Sequence, residues 1–372
     1  MKPKPFVLER YFAKYEFSAD ILVSSSDCES MRQSELVSWA DDEARALWDN
    51  LRLGYTESPG LPLLRTEIAK LYEGVRADDV IEYAPQEGIL VAMDCLLERG
   101  DHVIVTFPGY QSLYEIATAI GCEVTLWEPD EAQGWRFDPG FVRASLKPST
   151  KLIVANFPHN PTGYLPPRAD YEELVGIARE AGIPLFSDEM YRYLEIDRGD
   201  RLPSACELYE KAVTLCGMSK TFGLPGTRVG WLVTRDRDLH DALAAFKDYT
   251  TICASAPSEI LALVGLRNRD RLIERNLGIV KRNLAVAEEF FAAQNGLFTW
   301  TRPRAGSIGF PRLNAAMSSF DFCQKVVRET GVMMLPSRVY DYGDRHVRIG
   351  LGRADLPQGL ARVSDWLDRR KL

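Results

Sequence analysis

Histidine is scarce in this sequence, and its four histidines are too scattered along the 372 residues to form a metal-binding cluster. We therefore predict no metal site. The seven cysteines are odd in number and lack the Cys-x-x-Cys spacing of redox and zinc motifs. Because Cys95, Cys216 and Cys253 lie inside apolar runs, the cysteines are interpreted as reduced core residues, and we expect a cytoplasmic protein.

Long apolar runs are also absent, because no stretch of about 18 consecutive apolar residues occurs. The amino-terminal segment MKPKPFVLERYF begins with basic residues but lacks an apolar region long enough for a secretion signal. The net charge of −8 gives no basic footprint for a nucleic-acid backbone, and the basic run at 369–371 is interpreted as solvated. These features predict a protein that binds neither membranes nor nucleic acids.

The sequence has enough apolar residues, 46% of the total, to bury a large core. Short apolar runs of strand length alternate with longer amphipathic helical patterns, which predicts an α/β fold. We expect an N-terminal arm over residues 1–45 that joins a small domain. A large domain of sheet and flanking helices is predicted over 46–275, and a smaller α/β domain over 276–372.

Two short apolar runs, at 183–186 and 212–216, have the length of strands buried in a parallel sheet. The first is followed by Asp188, and the second by Ser219 and Lys220. Arg228 comes after a turn rich in glycine and proline. Because ligands of open α/β sheets bind at the carboxyl ends of the strands, these four side chains are candidates for one site.

A lysine at the end of a buried strand is costly in its charged form, because desolvation lowers the pKa of the amine. Such an amine forms a Schiff base with an aldehyde, and pyridoxal phosphate is the cofactor that uses one, together with an acid at its pyridine nitrogen. Taken singly, Lys220 is also consistent with a side chain that extends to the surface, and Asp188 with a helix cap.

Three ordered motifs narrow these alternatives: NFPHNPTG at 156–163, SDEMY at 187–191 and SKTFGLPGTRVGW at 219–231. Together they resemble the signature of the class I and II aminotransferases of fold type I, and the resemblance covers most of the chain. It implies a mostly parallel seven-stranded sheet, a pyridoxal phosphate cofactor and a homodimer with shared active sites. The implied substrates are an L-amino acid and a 2-oxo acid.

The resemblance assigns a role to each residue expected around the cofactor ring. Lys220 is implied as the Schiff-base lysine and Asp188 as the partner of the pyridine nitrogen. Asn160 and Tyr191 are implied as donors to the ring hydroxyl, and Tyr110 as the aromatic ring that stacks on the cofactor. Lys220, Asp188 and Tyr191 are the predicted catalytic residues. Tyr110 alone is also consistent with ordinary core packing.

The phosphate is expected at the start of a helix near residue 85, where free N–H groups and the helix dipole favour an anion. The backbone of Gln86 and Glu87 is predicted to bind it, with Arg228 and Ser219. The resemblance also implies that Tyr55 reaches the phosphate of the neighbouring subunit's cofactor. On the sequence alone, Tyr55 is equally consistent with a packed loop aromatic.

The sequence departs from the family pattern at both parts of this phosphate site. Ala84 and Pro85 replace the usual glycine and small or hydroxyl residue at the turn. Gly217 stands three residues before the lysine, where the family usually has a serine or threonine. One phosphate hydroxyl is therefore missing, and Ser219 is expected to replace it only with a different geometry.

Substrate recognition is expected at the other end of the cavity. Arg348 resembles the arginine that holds the substrate α-carboxylate, with Asn160 beside it. The polar arm segment that contains the serines at 24–26 and the acids Glu16, Asp27 and Glu29 is interpreted first as a solvated loop. If it lines the pocket instead, its acids favour a cationic side chain.

Two enzymatic hypotheses follow. The first is an aminotransferase that moves an amino group between an L-amino acid and a 2-oxo acid. The alternative is a pyridoxal phosphate enzyme of secondary metabolism that performs elimination, cyclisation or oxidation on a cationic amino acid such as arginine. A third class, the cofactor-sensing module of a regulator, is disfavoured because the sequence has no additional DNA-binding segment and is acidic.

Overall fold

A seven-stranded sheet forms the centre of the computed structural model, which describes residues 1–370. Its strands are β1 (Val80–Tyr83), β2 (His102–Thr106), β3 (Glu123–Trp127), β4 (Thr150–Asn156), β5 (Leu185–Asp188), β6 (Ala212–Gly217) and β7 (Gly230–Val233). They lie in the order β1-β7-β6-β5-β4-β2-β3. Every neighbouring pair is parallel except the two pairs that β7 forms with β1 and β6. The predicted mostly parallel, seven-stranded sheet is confirmed.

Helices flank this sheet, with α5 packed against β6 and β7 and α6 against β2 and β3. The α-helices of the described chain are α1 (Val7–Tyr15), α2 (Gln33–Val37), α3 (Asp42–Asp49), α4 (Pro62–Ala69), α5 (Pro85–Leu96), α6 (Ser112–Ile120), α7 (Pro139–Ser145), α8 (Arg168–Ala181), α9 (Ala205–Leu208), α10 (Arg237–Lys247), α11 (Ala256–Arg267), α12 (Arg269–Ala293), α13 (Ser319–Thr330) and α14 (Leu356–Arg370). In the part of the chain that is described, none of them is both long and apolar enough to cross a membrane.

The strands and helices follow from local sequence. All residues of β2, β5 and β6 are buried, as expected for short apolar runs covered on both faces of a parallel sheet. Helices α4 and α5 begin with a proline, whose missing N–H costs nothing in the first turn. Cys216 is buried as predicted, whereas Cys95 and Cys253 are only partly buried.

A second group of short strands lies toward the C-terminus. These strands are β8 (Phe298–Thr299), β9 (Ile308–Gly309), β10 (Arg312–Leu313), β11 (Leu335–Pro336) and β12 (Val347–Gly350). The N-terminal arm packs beside them, because Ile21 bridges to Val332 and the Gly350 N–H donates to the Val23 carbonyl over 2.6 Å. The domain boundaries stay predictions, since α12 runs continuously across residue 275. Residues 371 and 372, the end of the predicted small domain and of the basic run, lie outside the described residues.

Candidate active site

A cavity of about 470 Å³ opens at the carboxyl ends of β4, β5 and β6, between the sheet and the N-terminal arm. It brings together nine of the residues singled out in the sequence: Gln86, Tyr110, Asn160, Asp188, Tyr191, Ser219, Lys220, Arg228 and Arg348. Glu87 and Tyr55 are not among the residues that line it. Side chains separated by more than 250 positions in the sequence therefore face one space.

Asp188 and Lys220 supply an acid and an amine to this cavity. Asp188 is the last residue of β5, and its Oδ1 accepts a hydrogen bond from the Met190 N–H over 3.2 Å. Burial raises the pKa of this carboxyl to about 7, although the Met190 N–H and Lys220 act in the opposite direction. Burial also lowers the pKa of the Lys220 amine, whose Nζ donates to Ser26 Oγ over 2.9 Å. A lowered pKa makes the amine a better nucleophile near neutral pH.

Asn160 and Tyr191 flank the acid. The Asn156 side chain fixes this corner, because its Oδ1 accepts from the Asn160 N–H over 2.9 Å and its Nδ2 donates to the Asp188 carbonyl over 3.0 Å. Tyr191 is buried, and its hydroxyl has no hydrogen-bond partner among the described residues. A buried hydroxyl without a partner is rare and costly, so this group fits a bound polar ligand.

Tyr110 lines the cavity from the connection between β2 and α6. Its hydroxyl donates to Glu9 Oε1 over 3.0 Å, and its ring centroid lies 4.9 Å from that of Phe6. Both contacts come from the start of the arm, so the arm holds the orientation of this ring. Tyr110 is only half-buried and keeps its place on the cavity surface.

The expected phosphate end of the cavity lies at the start of α5. Gln86 and Glu87 belong to the first helical turn, whose N–H groups have no partner within the helix. The Ser219 hydroxyl lines the same cavity, is buried and also lacks a partner among the described residues. Arg228 is exposed, and its guanidinium donates to the Pro225 carbonyl over 3.0 Å. The Glu87 side chain points elsewhere, because Oε1 accepts hydrogen bonds from threonines of the loop after α10.

Arg348, on β12, also lines the cavity and is almost fully buried. Its guanidinium donates to the Ser24 carbonyl over 2.8 Å, to the Tyr340 hydroxyl and, over 3.5 Å, to Asn160 Oδ1. Its Nε has no partner within residues 1–370. Tyr340 was missed in the sequence, because nothing in the run SRVYDY distinguishes it from an ordinary core aromatic.

The interpretation of the arm segment as a solvated loop is wrong for Ser24 and Ser25, which are buried. The physical reason is close backbone packing against β12. A Cβ on Gly350 would lie 1.7 Å from the Ser25 carbonyl oxygen, so only glycine permits this approach. The glycines of the run IGLG were therefore a sequence signal that another chain segment crosses this strand.

The acids of the arm divide into two groups. Glu9, Glu16 and Asp27, called the acid cluster below, line the cavity, whereas Glu29 accepts from the Ala354 N–H outside it. Asp27 pairs with Arg353 at 2.8 Å. Burial, followed by the charges of Glu9 and Asp27, raises the pKa of the Glu16 carboxyl. In the described chain this carboxyl has no hydrogen-bond or ion-pair partner.

Tyr55 stands apart from this cavity. Its side chain is 92% exposed, on the irregular segment between α3 and α4. Within this chain Tyr55 is therefore not a packed loop aromatic, which was one of the two equally weighted interpretations of the sequence. A role toward a neighbouring subunit stays a prediction.

The donor set of the cavity fits pyridoxal phosphate. The buried carboxyl of Asp188 suits the pyridine nitrogen, and the Lys220 amine, whose pKa is lowered, suits the aldehyde. The Tyr191 and Ser219 hydroxyls, which have no partner among the described residues, suit the acceptor oxygens of the cofactor. The free N–H groups at the start of α5 suit an anion. Arg228, the predicted phosphate ligand, is the least constrained member of the set because its side chain is exposed.

These features define a pyridoxal-phosphate-dependent enzyme of fold type I, and comparison with known proteins agrees. The sequence model of the family described as "Aminotransferase class I and II" matches residues 19–362. The chain belongs to this family and is a pyridoxal-phosphate-dependent transferase.

The individual relatives are named for different reactions. The chain is 32% identical to capreomycidine synthase of Streptomyces vinaceus over 287 residues, which is 77% of this chain and 73% of that protein. A crystal structure of a PLP-dependent aminotransferase from Streptococcus suis 89-1591 has a TM-score of 0.93 and 32% identity over 99% of both chains. The PLP-dependent cyclase OrfR has a TM-score of 0.90 and 28% identity, over 100% of this chain and 98% of that one.

Proposed function

We propose that this enzyme transfers an amino group between an L-amino acid and a 2-oxo acid. The observation that carries the proposal is the convergence of Lys220, Asp188 and Arg348 on one cavity. When bound there, pyridoxal phosphate supplies an aldehyde and a ring that accepts electrons from the substrate Cα. The proposal assigns the remaining tasks, which are binding, orientation and proton transfer, to side chains of this chain.

Arg348 would hold the substrate α-carboxylate, because its guanidinium is fixed by Ser24 and Tyr340 and its Nε is unpartnered in the described residues. Lys220 Nζ would take the proton from the substrate Cα as a general base, which a lowered amine pKa favours. Asp188, as a carboxylate, would keep the pyridine nitrogen protonated. Tyr191 and Asn160 would orient the ring by hydrogen bonds to its oxygen.

We also propose a homodimer with shared active sites. Four apolar or aromatic side chains of the described chain are strongly exposed: Phe17 at 93%, Leu53 at 87%, Tyr55 at 92% and Tyr249 at 89%. Exposed apolar side chains of this size favour burial against a partner, and a second copy would let Tyr55 reach the phosphate end of the neighbouring site.

The unpaired cysteines are consistent with a reducing compartment, which supports the expected cytoplasmic location.

A second candidate function is cyclisation, elimination or oxidation of a cationic amino acid. The acid cluster supports it, because Glu16 has no partner within the described residues and a cationic side chain would neutralise it. The similarity to proteins named capreomycidine synthase and PLP-dependent cyclase gives further support. Both candidate functions use the same cofactor and the Lys220 amine. The reaction product therefore distinguishes them.

Product analysis separates the two candidates. The holoenzyme is incubated with a panel of L-amino acids, first without and then with a 2-oxo acid. Aminotransfer yields pyridoxamine phosphate and a stoichiometric 2-oxo acid. A cyclised, unsaturated or oxidised product without stoichiometric amino transfer would instead favour the second candidate. Failure of every amino acid to yield any of these products would refute both.

The acid cluster gives a sharper test of substrate class. For arginine, Glu16→Gln is expected to raise KM roughly 2- to 10-fold, because one hydrogen bond at a carboxyl that is only partly buried contributes about 0.5–1.5 kcal/mol. For citrulline, the neutral analogue, the change is expected to be small. Glu29→Gln is the matched control, since its carboxylate lies outside the cavity. Equal effects of Glu16→Gln on both substrates would contradict the proposed cationic specificity.

A further inference from the structure

One buried threonine joins the two chain segments that carry reactive groups of the cavity. Thr221 follows Lys220 directly in the turn after β6 and is fully buried. Its Oγ1 donates hydrogen bonds to the Arg192 carbonyl over 2.6 Å and to the Met190 carbonyl over 3.3 Å. These two carbonyls flank Tyr191 in the turn after β5. One hydroxyl therefore holds the backbone on both sides of Tyr191.

Strand pairing ends before it reaches these two turns. The parallel register between β5 and β6 ends with Asp188 opposite Leu215, and the Glu189 N–H then donates to the Leu215 carbonyl. Tyr191 and Lys220 both lie beyond this bond. Their separation therefore depends on contacts other than the backbone ladder of the sheet.

The Thr221 hydroxyl satisfies two buried acceptors. Met190 and Arg192 are both buried, and within residues 1–370 neither carbonyl has a hydrogen-bond donor other than this hydroxyl. A buried carbonyl without a donor is costly, so loss of the hydroxyl would favour movement of the turn toward another donor. Tyr191 would move with that turn.

A second contact fixes the backbone of Thr221 itself. Its carbonyl accepts a hydrogen bond over 2.9 Å from Nδ2 of Asn276, a fully buried residue of α12. Asn276 Oδ1 accepts in turn from Arg275 Nη1 over 2.8 Å, and the same Nη1 donates to the Glu29 carbonyl over 2.7 Å. Thr221 is therefore anchored to α12 and, through α12, to the N-terminal arm.

We propose that Thr221 is a positioning residue that sets the Lys220 amine against the turn of Tyr191. Thr221 is not among the residues that line the cavity, so it acts through its neighbours. The inference rests on the proposed roles of Lys220 and Tyr191 toward the cofactor. Loss of the hydroxyl is expected to slow the reaction of the amine with the bound aldehyde, because that reaction requires alignment. Initial binding of the cofactor is expected to change little.

Rapid mixing of the full-length apoprotein with pyridoxal phosphate tests this inference. Formation of the covalent linkage is followed by absorbance over a range of cofactor concentrations, and borohydride reduction with peptide mass spectrometry assigns the linkage to Lys220. Thr221→Val removes the hydroxyl at nearly constant shape. It is expected to lower the limiting rate about tenfold and to leave the concentration that gives half this rate unchanged. Thr221→Ser keeps a hydroxyl and is expected to retain the wild-type rate.

Thr330→Val is the matched control, because it removes another threonine hydroxyl, which donates to the Val326 carbonyl over 2.7 Å on α13. It is expected to change neither quantity. An equal limiting rate in wild type and Thr221→Val would overturn the inference even if the apoprotein Tm falls, because a merely structural role lowers the Tm alone. A low rate in Thr221→Ser would also overturn it.

Asn276→Ala keeps the inference testable if Thr221→Val does not fold. This variant removes the donor to the Thr221 carbonyl and is expected to lower the limiting rate severalfold, so an unchanged rate would overturn the inference. Absence of any linkage at Lys220 in the wild type would instead refute the proposed role of Lys220, and the inference with it. Linkage at Lys220 that is insensitive to these substitutions would refute the inference alone.

Discussion

Asp188 makes the stability of the apoprotein depend on pH. Its carboxyl has a pKa of about 7 in the fold, against an ordinary value of 3.8, because burial disfavours the charged form. The folded apoprotein therefore binds more protons than the unfolded chain between these two values. The resulting stabilisation is fully present below the unfolded pKa and is lost as pH rises through the folded pKa.

The size of the effect follows from the two pKa values. A difference between 3.8 and about 7 corresponds to ~4 kcal/mol over the whole range. Between pH 5 and pH 8 the expected loss is roughly 2 to 3 kcal/mol. This is a large part of the free energy of unfolding of an ordinary domain. The amide of the Asp188→Asn variant cannot titrate, so its contribution to stability is the same at both pH values.

Urea unfolding of wild-type and Asp188→Asn apoproteins at pH 5, 6, 7 and 8 measures this contribution. One protein concentration is used throughout, because association also stabilises. Groups away from the cavity titrate equally in both proteins, so the difference between the two curves reports residue 188 together with its charge coupling to Lys220. Asp365→Asn, at an exposed aspartate of α14, is the matched control. Parallel curves for wild type and Asp188→Asn would refute the assignment of a raised pKa to Asp188.

The amine and the carboxylate anchor give further expectations. Lys220→Ala is expected to bind pyridoxal phosphate without a linkage that borohydride fixes, as mass spectrometry would detect; a fixed adduct in this variant would contradict the role of Lys220. Arg348→Lys is expected to raise KM for the amino acid roughly 10- to 100-fold, because a point charge replaces a planar fork that makes charge-assisted hydrogen bonds of about 1.5–3 kcal/mol each. Unchanged KM would remove Arg348 from the carboxylate site.

The sheet edge could be predicted because its signals are local. Buried parallel strands are short apolar runs, and their carboxyl ends meet at one edge whatever the details of packing. Asp188 and Lys220 were therefore predicted to lie together from their positions after two such runs, and both line the cavity. Asn160 follows β4 in the same way. The strand pattern predicted where these residues lie, and the motifs predicted the role of each.

The arm could not be predicted in the same way, because its burial depends on contacts between distant residues. Ser24 and Ser25 are polar and have no apolar period, yet both are buried where the arm crosses β12. Arg348, 324 positions away, binds the Ser24 carbonyl. Tyr340 was missed for the same reason, since its contacts with Arg348 and Asn160 are formed only in the folded chain.

One short segment of the arm, residues 24–27, lies beside the groups that are proposed to bind both ends of a substrate. The Ser24 carbonyl accepts a hydrogen bond from Arg348, which is proposed to hold the α-carboxylate. Asp27, three residues later, belongs to the acid cluster that is proposed to face the substrate side chain. Ser26, between them, accepts a hydrogen bond from Lys220. A shift of this short segment would therefore change the carboxylate anchor, the reactive amine and the side-chain pocket together. We therefore expect substrate selectivity to depend on the arm as well as on the sheet, whose strand ends carry residues predicted to surround the cofactor ring.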